Sequence, residues 1–322
     1  MLDRFEREIN YARISITDRC NLRCVYCMPE SGVRPLRHAD ILSYENILRI
    51  CEVFSALGIN KLKITGGEPL VRKGAVDLIA CLKQIDGISC VTLTTNGHLL
   101  AEHAQKLKEI GLDGVNISLN TLEPSVYSNV TRGGDVNKAL AAIDAAIDAG
   151  IPSIKLNCVP LGAESRRDVL QVAALARNRV IHVRFIEMMP IGAGFAFTGL
   201  SNGMVCEWIE REYGKWTPTE KSYGNGPAKY GALPDFRGKI GFISATSDCF
   251  CERCNRVRLT SNGFVRACLN QTDGVSLLPA LSEADDDKLF YDIRTAILKK
   301  PERHNFSSRE ESVKDVMSKI GG

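Results

Sequence analysis

The sequence predicts an α/β protein built on a mainly parallel sheet. Short runs rich in Ile, Val and Leu recur along the first two-thirds of the chain, each bounded by Gly, Asn or Pro. Segments of helical periodicity separate them. Each parallel return needs a crossover, and six βα units in series supply one apiece. Six units without a reversal suggest a partial (β/α)6 barrel. Periodicity alone leaves an open doubly wound sheet as the alternative.

The strand patterns fall at residues 12–17, 61–65, 90–94, 114–119, 154–159 and 180–186. Ile47, Ile50, Cys51, Phe54 and Leu57 share one face of the first helix, and Gly58 ends it. Further helical patterns cover 75–83, 99–110, 136–149 and 165–177. Near Pro190 the character changes, with frequent Gly, Pro and aromatic residues from Ile191 to about Gly241. A second cysteine group follows between Cys249 and Cys268, then a polar tail from Ser307. We expect a barrel domain over residues 1–235 and a C-terminal region over 236–322.

Composition narrows the class. The chain has 322 residues, 44% apolar and 25% charged, which is ordinary for one large or two modest globular domains. A net charge of +3 argues against coating a nucleic-acid polymer. The opening MLDRFEREIN lacks the apolar core of a signal peptide. No apolar run reaches the roughly 18 residues that span a bilayer. The expectation is a cytoplasmic protein without a membrane partner. Twelve cysteines are too sparse for a disulfide scaffold, and in a reduced compartment clustered cysteines more often bind metal.

Cys20, Cys24 and Cys27 form C-x3-C-x2-C directly after the first strand pattern. Three thiolates on so short a loop suit three irons of a cubane cluster and leave one iron open for a small molecule, as catalytic zinc keeps one position open. A zinc site completed by His38 or a distant cysteine is the competing reading, as are three unrelated buried cysteines. Cys251, Cys254 and Cys268 give C-x2-C-x13-C, with Cys249 two residues earlier. There, spacing favours iron–sulphur and a four-cysteine zinc knuckle equally.

Nearly every strand pattern also carries a polar or cationic residue: Arg13, Lys63, Thr94, Ser118, Lys155 and Arg184. Alternation puts Arg13, Ser15 and Thr17 on one face and Ala12, Ile14 and Ile16 on the other. Cations that face inward need an anion, and a triphosphate would serve. Solvated strand edges are the bland reading of each one singly.

The cysteine run, with Tyr26 before its last member, and Gly66-Gly67-Glu68-Pro69 straight after the second strand pattern resemble the radical S-adenosylmethionine (SAM) superfamily. Phe250-Cys251-x-x-Cys254-Asn255-Arg256-Val257-Arg258-Leu259, with the terminal Gly321-Gly322, resembles one family within it. That family is the GTP 3′,8-cyclases of molybdenum cofactor biosynthesis, the molybdenum cofactor biosynthesis protein A group. The resemblance runs from about Arg13 to Gly322. It implies a partial (β/α)6 TIM-type barrel with a C-terminal extension carrying a second iron–sulphur cluster. It implies two [4Fe-4S] clusters, one on Cys20, Cys24 and Cys27 and one on Cys251, Cys254 and Cys268, with SAM on the first. Tyr26, Gly66, Gly67, Glu68, Pro69, Ser118 and Met189 are then SAM contacts. Arg13, Lys63, Thr94, Lys155, Arg184, Arg256, Val257 and Arg258 are GTP contacts. The first cysteine triad, Arg256 and Arg258 carry catalysis. Lys63 stands where Arg is expected, and Asn120 where Asp is usual.

The implied reaction starts with a 5′-deoxyadenosyl radical that takes hydrogen from C3′ of GTP. The C3′ radical attacks C8, and a further reduction gives (8S)-3′,8-cyclo-7,8-dihydroguanosine 5′-triphosphate. Implied partners are GTP, a low-potential electron donor such as flavodoxin or ferredoxin, and cyclic pyranopterin monophosphate synthase downstream. A monomer and a homodimer both fit. The rival readings are a radical SAM peptide-maturing enzyme with an auxiliary cluster and a non-catalytic metal-binding or electron-transfer protein. Cys51, Cys81, Cys90, Cys158 and Cys206 read as small hydrophobes. Cys249 reads as a spare thiol, and the five histidines form no pair at metal spacing.

Overall fold

The computed structural model describes residues 1–272, 274–306 and 316–320. Six βα units run in the expected order. They are β1 (Tyr11–Ser15) and α1 (Tyr44–Ala56), β2 (Lys61–Thr65) and α2 (Ala75–Leu82), β3 (Cys90–Thr95) and α3 (Leu100–Glu109). Then come β4 (Gly114–Ser118), α4 (Pro124–Thr131) and α5 (Val136–Asp148), β5 (Ile154–Cys158) and α6 (Arg166–Ala174), and β6 (His182–Ile186) and α7 (Asn202–Tyr213). The C-terminal third adds β7 (Thr217–Pro218), β8 (Lys229–Ala232), β9 (Ile240–Ile243), β10 (Arg256–Leu259), β11 (Phe264–Arg266), β12 (Val275–Ser276), α8 (Leu278–Ser282) and α9 (Asp286–Leu298).

Local chemistry explains the elements. The Ser43 hydroxyl caps α1 by accepting from the Asn46 amide, and Ile47, Ile50, Cys51 and Phe54 are its buried stripe. Gly58 terminates it with a left-handed φ of 83°. Asp135 caps α5, whose buried Val136, Ala139, Ala142, Ile143 and Ala146 repeat at helical spacing. In β1, Ala12 and Ile14 face the helices and join the core, as does Ile16 just beyond it. The strand expected from residue 180 begins at His182, because Val180 is 66% exposed and lies outside the sheet.

Among the described residues the twelve strands form one sheet, in the order β12-β11-β10-β1-β2-β3-β4-β5-β6-β9-β8-β7. The six predicted strands are parallel neighbours. Two strands from the last third extend this run in parallel, β10 beside β1 and β9 beside β6. Antiparallel β8–β7 and β11–β12 continue the two edges. Arg13, Thr65, Thr94, Ser118, Asn157, Ile186, Ile243 and Arg258 come from the eight parallel strands and line a single cavity. The sheet is therefore curled, and its concave face is the site. The apolar core lies on the convex side, between the sheet and the helices. Among the described residues no helix is long and apolar enough to cross a membrane.

Candidate active site

The first cysteine loop leaves the C-terminal end of β1 and lies against the loop after β2. Ile16 donates its amide to Thr65 O (3.0 Å), Gly67 to Thr17 O (2.8 Å) and Glu68 to Arg19 O (2.8 Å). This is strand pairing carried on beyond the strands. A Cβ on Gly67 would sit 2.3 Å from Arg19 O and 2.6 Å from its carbonyl carbon, so only glycine permits this approach. Helix α4, which periodicity did not reveal, closes the other side. Arg23 and Val25 donate their amides to Thr131 O and Val130 O, and the Arg132 guanidinium donates to Arg23 O and Met28 O. The phenol of Tyr26 accepts from Asn120 Nδ2 at 3.0 Å, while Asn120 Oδ1 accepts the Val159 amide. Burial pushes the Cys24 thiol up to about 12 and raises Cys20 as well. Free thiols here stay protonated, and a metal must displace their protons.

Tyr26, Gly66, Gly67, Ser118 and Met189 line the cavity. The family resemblance implies SAM contacts from Glu68 and Pro69 as well, but neither lines the cavity. The Glu68 carboxylate is fully buried behind the wall, accepting from Thr95 Oγ1 (2.8 Å) and from the Leu70 (3.1 Å) and Asn96 (2.7 Å) amides. Burial raises its pKa to about 7 despite these donors. It ties the loop after β2 to the end of β3.

Cys251, Cys254 and Cys268 line the same cavity as Cys20, Cys24 and Cys27. Burial works against ionisation of Cys254, but Arg256 and Lys300 outweigh it and bring its thiol down to about 6. Arg256 lies over the Phe250 ring, 4.9 Å from its centroid. Two residues unnoticed in the sequence hold this region. Buried Lys300 donates to Arg256 O (2.6 Å) and Ala267 O (2.5 Å). Arg7, ion-paired to Asp3, donates to Cys251 O, Glu302 O and Pro301 O. Nothing near Arg7 or Lys300 in sequence signals that role.

The cations divide by depth. Arg13, Arg256 and Arg258 line the cavity, beside the neutral hydroxyl of Thr94. Register places Arg13 between Lys63 and Arg258. Lys63, Lys155 and Arg184 lie below it, within the curl. Arg184 donates to Asn157 Oδ1, Lys155 is hydrogen-bonded to Ser153 Oγ, and Gly224 packs against the Lys155 stem. Among the described residues none of these three has a carboxylate partner. Burial, then Arg184, lowers Lys155 to about 8, and burial with Arg184, Arg13 and Lys155 drives Lys63 well below its ordinary value. Val257, expected to touch GTP, points the other way. Its side chain is 1% exposed in the apolar core, because alternation that turns Arg256 and Arg258 inward turns it outward.

Other expectations need adjustment. Cys81 is exposed on the solvent side of α2, and Cys90 accepts a hydrogen bond from Asn225 rather than packing as a simple hydrophobe. His304, which sequence spacing pairs with no other histidine, lies with Cys249 and Cys251. Gly321 and Gly322 lie outside the described residues. The segment before them does reach the site, since Met317 lines the cavity and Ile320 O accepts from Arg258.

The donor sets fit cubane clusters better than single ions. Four thiolates round zinc sit about 3.8 Å apart, whereas a cubane spreads its thiolates more widely, one per iron. Neither triad brings all three of its sulphurs within 4.8 Å of one another. Both triads are nonetheless on the wall of one cavity.

The radical SAM superfamily description matches residues 14–176, and the Molybdenum Cofactor Synthesis C description matches residues 181–306. Among curated relatives, the GTP 3′,8-cyclase of Pelotomaculum thermopropionicum is 44% identical and that of Clostridium perfringens 42% identical, each with complete coverage of both chains. The chain belongs to the GTP 3′,8-cyclase family. Its cofactors are two [4Fe-4S] clusters and SAM. Among solved structures, Streptococcus suis SuiB bound to S-adenosylmethionine superposes with a TM-score of 0.64 at 14% identity, over 97% of this chain and 78% of that one. That likeness is one of fold. As a GTP 3′,8-cyclase family member, the chain has the partial barrel and the C-terminal extension that its motifs imply.

Proposed function

We propose that this protein converts GTP to (8S)-3′,8-cyclo-7,8-dihydroguanosine 5′-triphosphate for molybdenum cofactor biosynthesis. The observation that carries this reading is the meeting of two thiol triads and a buried cationic floor around one cavity. A polyanion is the partner such a floor lacks. Cys20, Cys24 and Cys27 hold the first cluster, and Cys251, Cys254 and Cys268 the second. When bound, the first cluster with SAM supplies reductive sulphonium cleavage and hydrogen-atom abstraction.

The chain's own residues then position and shield. Tyr26, Gly66, Gly67, Ser118 and Met189 orient SAM, with Asn120 fixing Tyr26. Arg13, Arg256 and Arg258 flank the substrate, and Lys63, Lys155 and Arg184 receive the triphosphate from below. Lys63 gives charge without the planar fork of arginine, a point contact rather than a bidentate one. Functionally the chain divides near residue 235, with the first cluster and SAM before it and the second cluster and paired arginines after it. The chemistry requires a low-potential donor such as flavodoxin or ferredoxin. The product is a substrate for cyclic pyranopterin monophosphate synthase, and the work is done in the cytoplasm.

The test is anaerobic incubation of the reconstituted protein with GTP, SAM and reductant. The expected result is 5′-deoxyadenosine formed only with GTP, together with the cyclised nucleotide. GTP-independent SAM cleavage by fully loaded protein, with no cyclised product, would overturn the reading.

A further inference from the structure

A third set of soft donors lies beside the second triad. Cys249 Sγ is 3.5 Å from His304 Nε2, and the His304 amide donates to Cys251 Sγ at 3.5 Å. The ligand atoms of Cys249, Cys251 and His304 all lie within 4.8 Å of one another, and no other such group occurs among the described residues. This is the spacing for one ion rather than for a cubane. The ring of His304 is held in place. It packs against Phe306 with centroids 3.9 Å apart and the rings tilted by 32°, and its Nε2 lies 2.9 Å from Ala245 O. Its Nδ1 is buried with no hydrogen-bond partner. With Nε2 donating to Ala245, Nδ1 carries an unsatisfied lone pair. A buried acceptor without a donor is costly, and a metal ion on Nδ1 satisfies it while Nε2 keeps its hydrogen bond to Ala245 O. Cys249 is exposed, so an ion has an entry path.

We propose that Cys249, Cys251 and His304 form a mononuclear site for a thiophilic divalent ion such as Zn2+, mutually exclusive with the second cluster because both use Cys251. The proposal rests on the reading that Cys251 ligates that cluster. Binding converts two thiols to thiolates and releases their protons to solvent, with no change of oxidation state. An ion captured before cluster assembly blocks the second cluster and leaves the first untouched. The site is distinct from a four-cysteine knuckle, since it needs neither Cys254 nor Cys268.

The test uses full-length, cluster-free protein under anaerobic conditions, with Co2+ as the spectroscopic probe. The Cys20, Cys24 and Cys27 thiols are replaced by serine to silence the first triad. We expect one equivalent of Co2+ with thiolate charge-transfer absorption. Cys249→Ser and His304→Ala should each weaken binding at least tenfold, while Cys254→Ser and Cys268→Ser leave it unchanged. Because Cys249 is exposed, its variant tests the site without disturbing the core. In a second arm, the chain with all its cysteines is preloaded with Zn2+ and then reconstituted. It should take up about four rather than about eight irons, and Cys249→Ser should restore the rest. Co2+ binding that ignores Cys249 but needs Cys254 or Cys268, no binding at all, or zinc that does not affect iron uptake would each overturn the proposal. Normal iron uptake by Cys254→Ser and Cys268→Ser without zinc would instead overturn the cluster assignment.

Discussion

At the scale of single residues, Gly67 and Glu68 show how a binding motif is held in shape. Gly67 has no space for a methyl group against the Arg19 backbone. Gly67→Ala must therefore push the first cysteine loop away, and we expect it to lose first-cluster iron while the second cluster loads normally, as read by iron content and electron paramagnetic resonance. Glu68 works through three donors rather than through a ligand. Glu68→Ala orphans them, at about 1–3 kcal/mol each if none finds water, so a lowered melting temperature should precede any loss of SAM affinity. Lys155, held at about 8, gives a pH signature. Its neutral form offers a triphosphate no charge, so GTP affinity should fall as pH rises through about 8. Lys155→Arg, which stays charged, should flatten that fall in calorimetry. The motif residues were legible in the sequence because their spacing is local. That Glu68 faces away from the cavity was not, because it depends on where β3 ends.

Among the elements, the βα units were legible for a physical reason: each buries its own periodic stripe against the sheet. The helix α4 was not, since its role is to bracket a loop and it buries only Tyr127 and Thr131. The strands β9 and β10 were hidden too. Each is four residues long, and their partners are distant in sequence. The N-terminal segment is the clearest case of an unmarked role. Arg7 fastens the loop at Cys251 to the chain at 301–302. Arg7→Ala strips those carbonyls of a donor and leaves Asp3 buried without its cation, an effect of about 3–5 kcal/mol for a broken buried pair. We expect that variant to keep SAM binding at the first triad but to reconstitute with close to half the iron.

For the molecule as a whole, the two triads are far apart in sequence and become neighbours through one parallel pairing, Tyr11 with Arg256 and Arg13 with Arg258. Cysteine spacing with the family resemblance points to two clusters; the curled sheet places both triads round a common space. Cys24→Ser should accordingly abolish SAM cleavage, whereas Cys254→Ser should spare first-cluster assembly and impair GTP turnover. The same pairing bears on how the chain is made. One side of β1 receives its neighbour only when β10 leaves the ribosome, with Arg256 paired to Tyr11 across about three-quarters of the chain. Until then the nascent protein carries an open strand edge, a surface that recruits other strands. Contacts of such long separation also form slowly. Synthesis therefore exposes an interval of vulnerability in which the first cysteine loop exists and the second does not, and truncated chains ending before residue 256 should aggregate through β1.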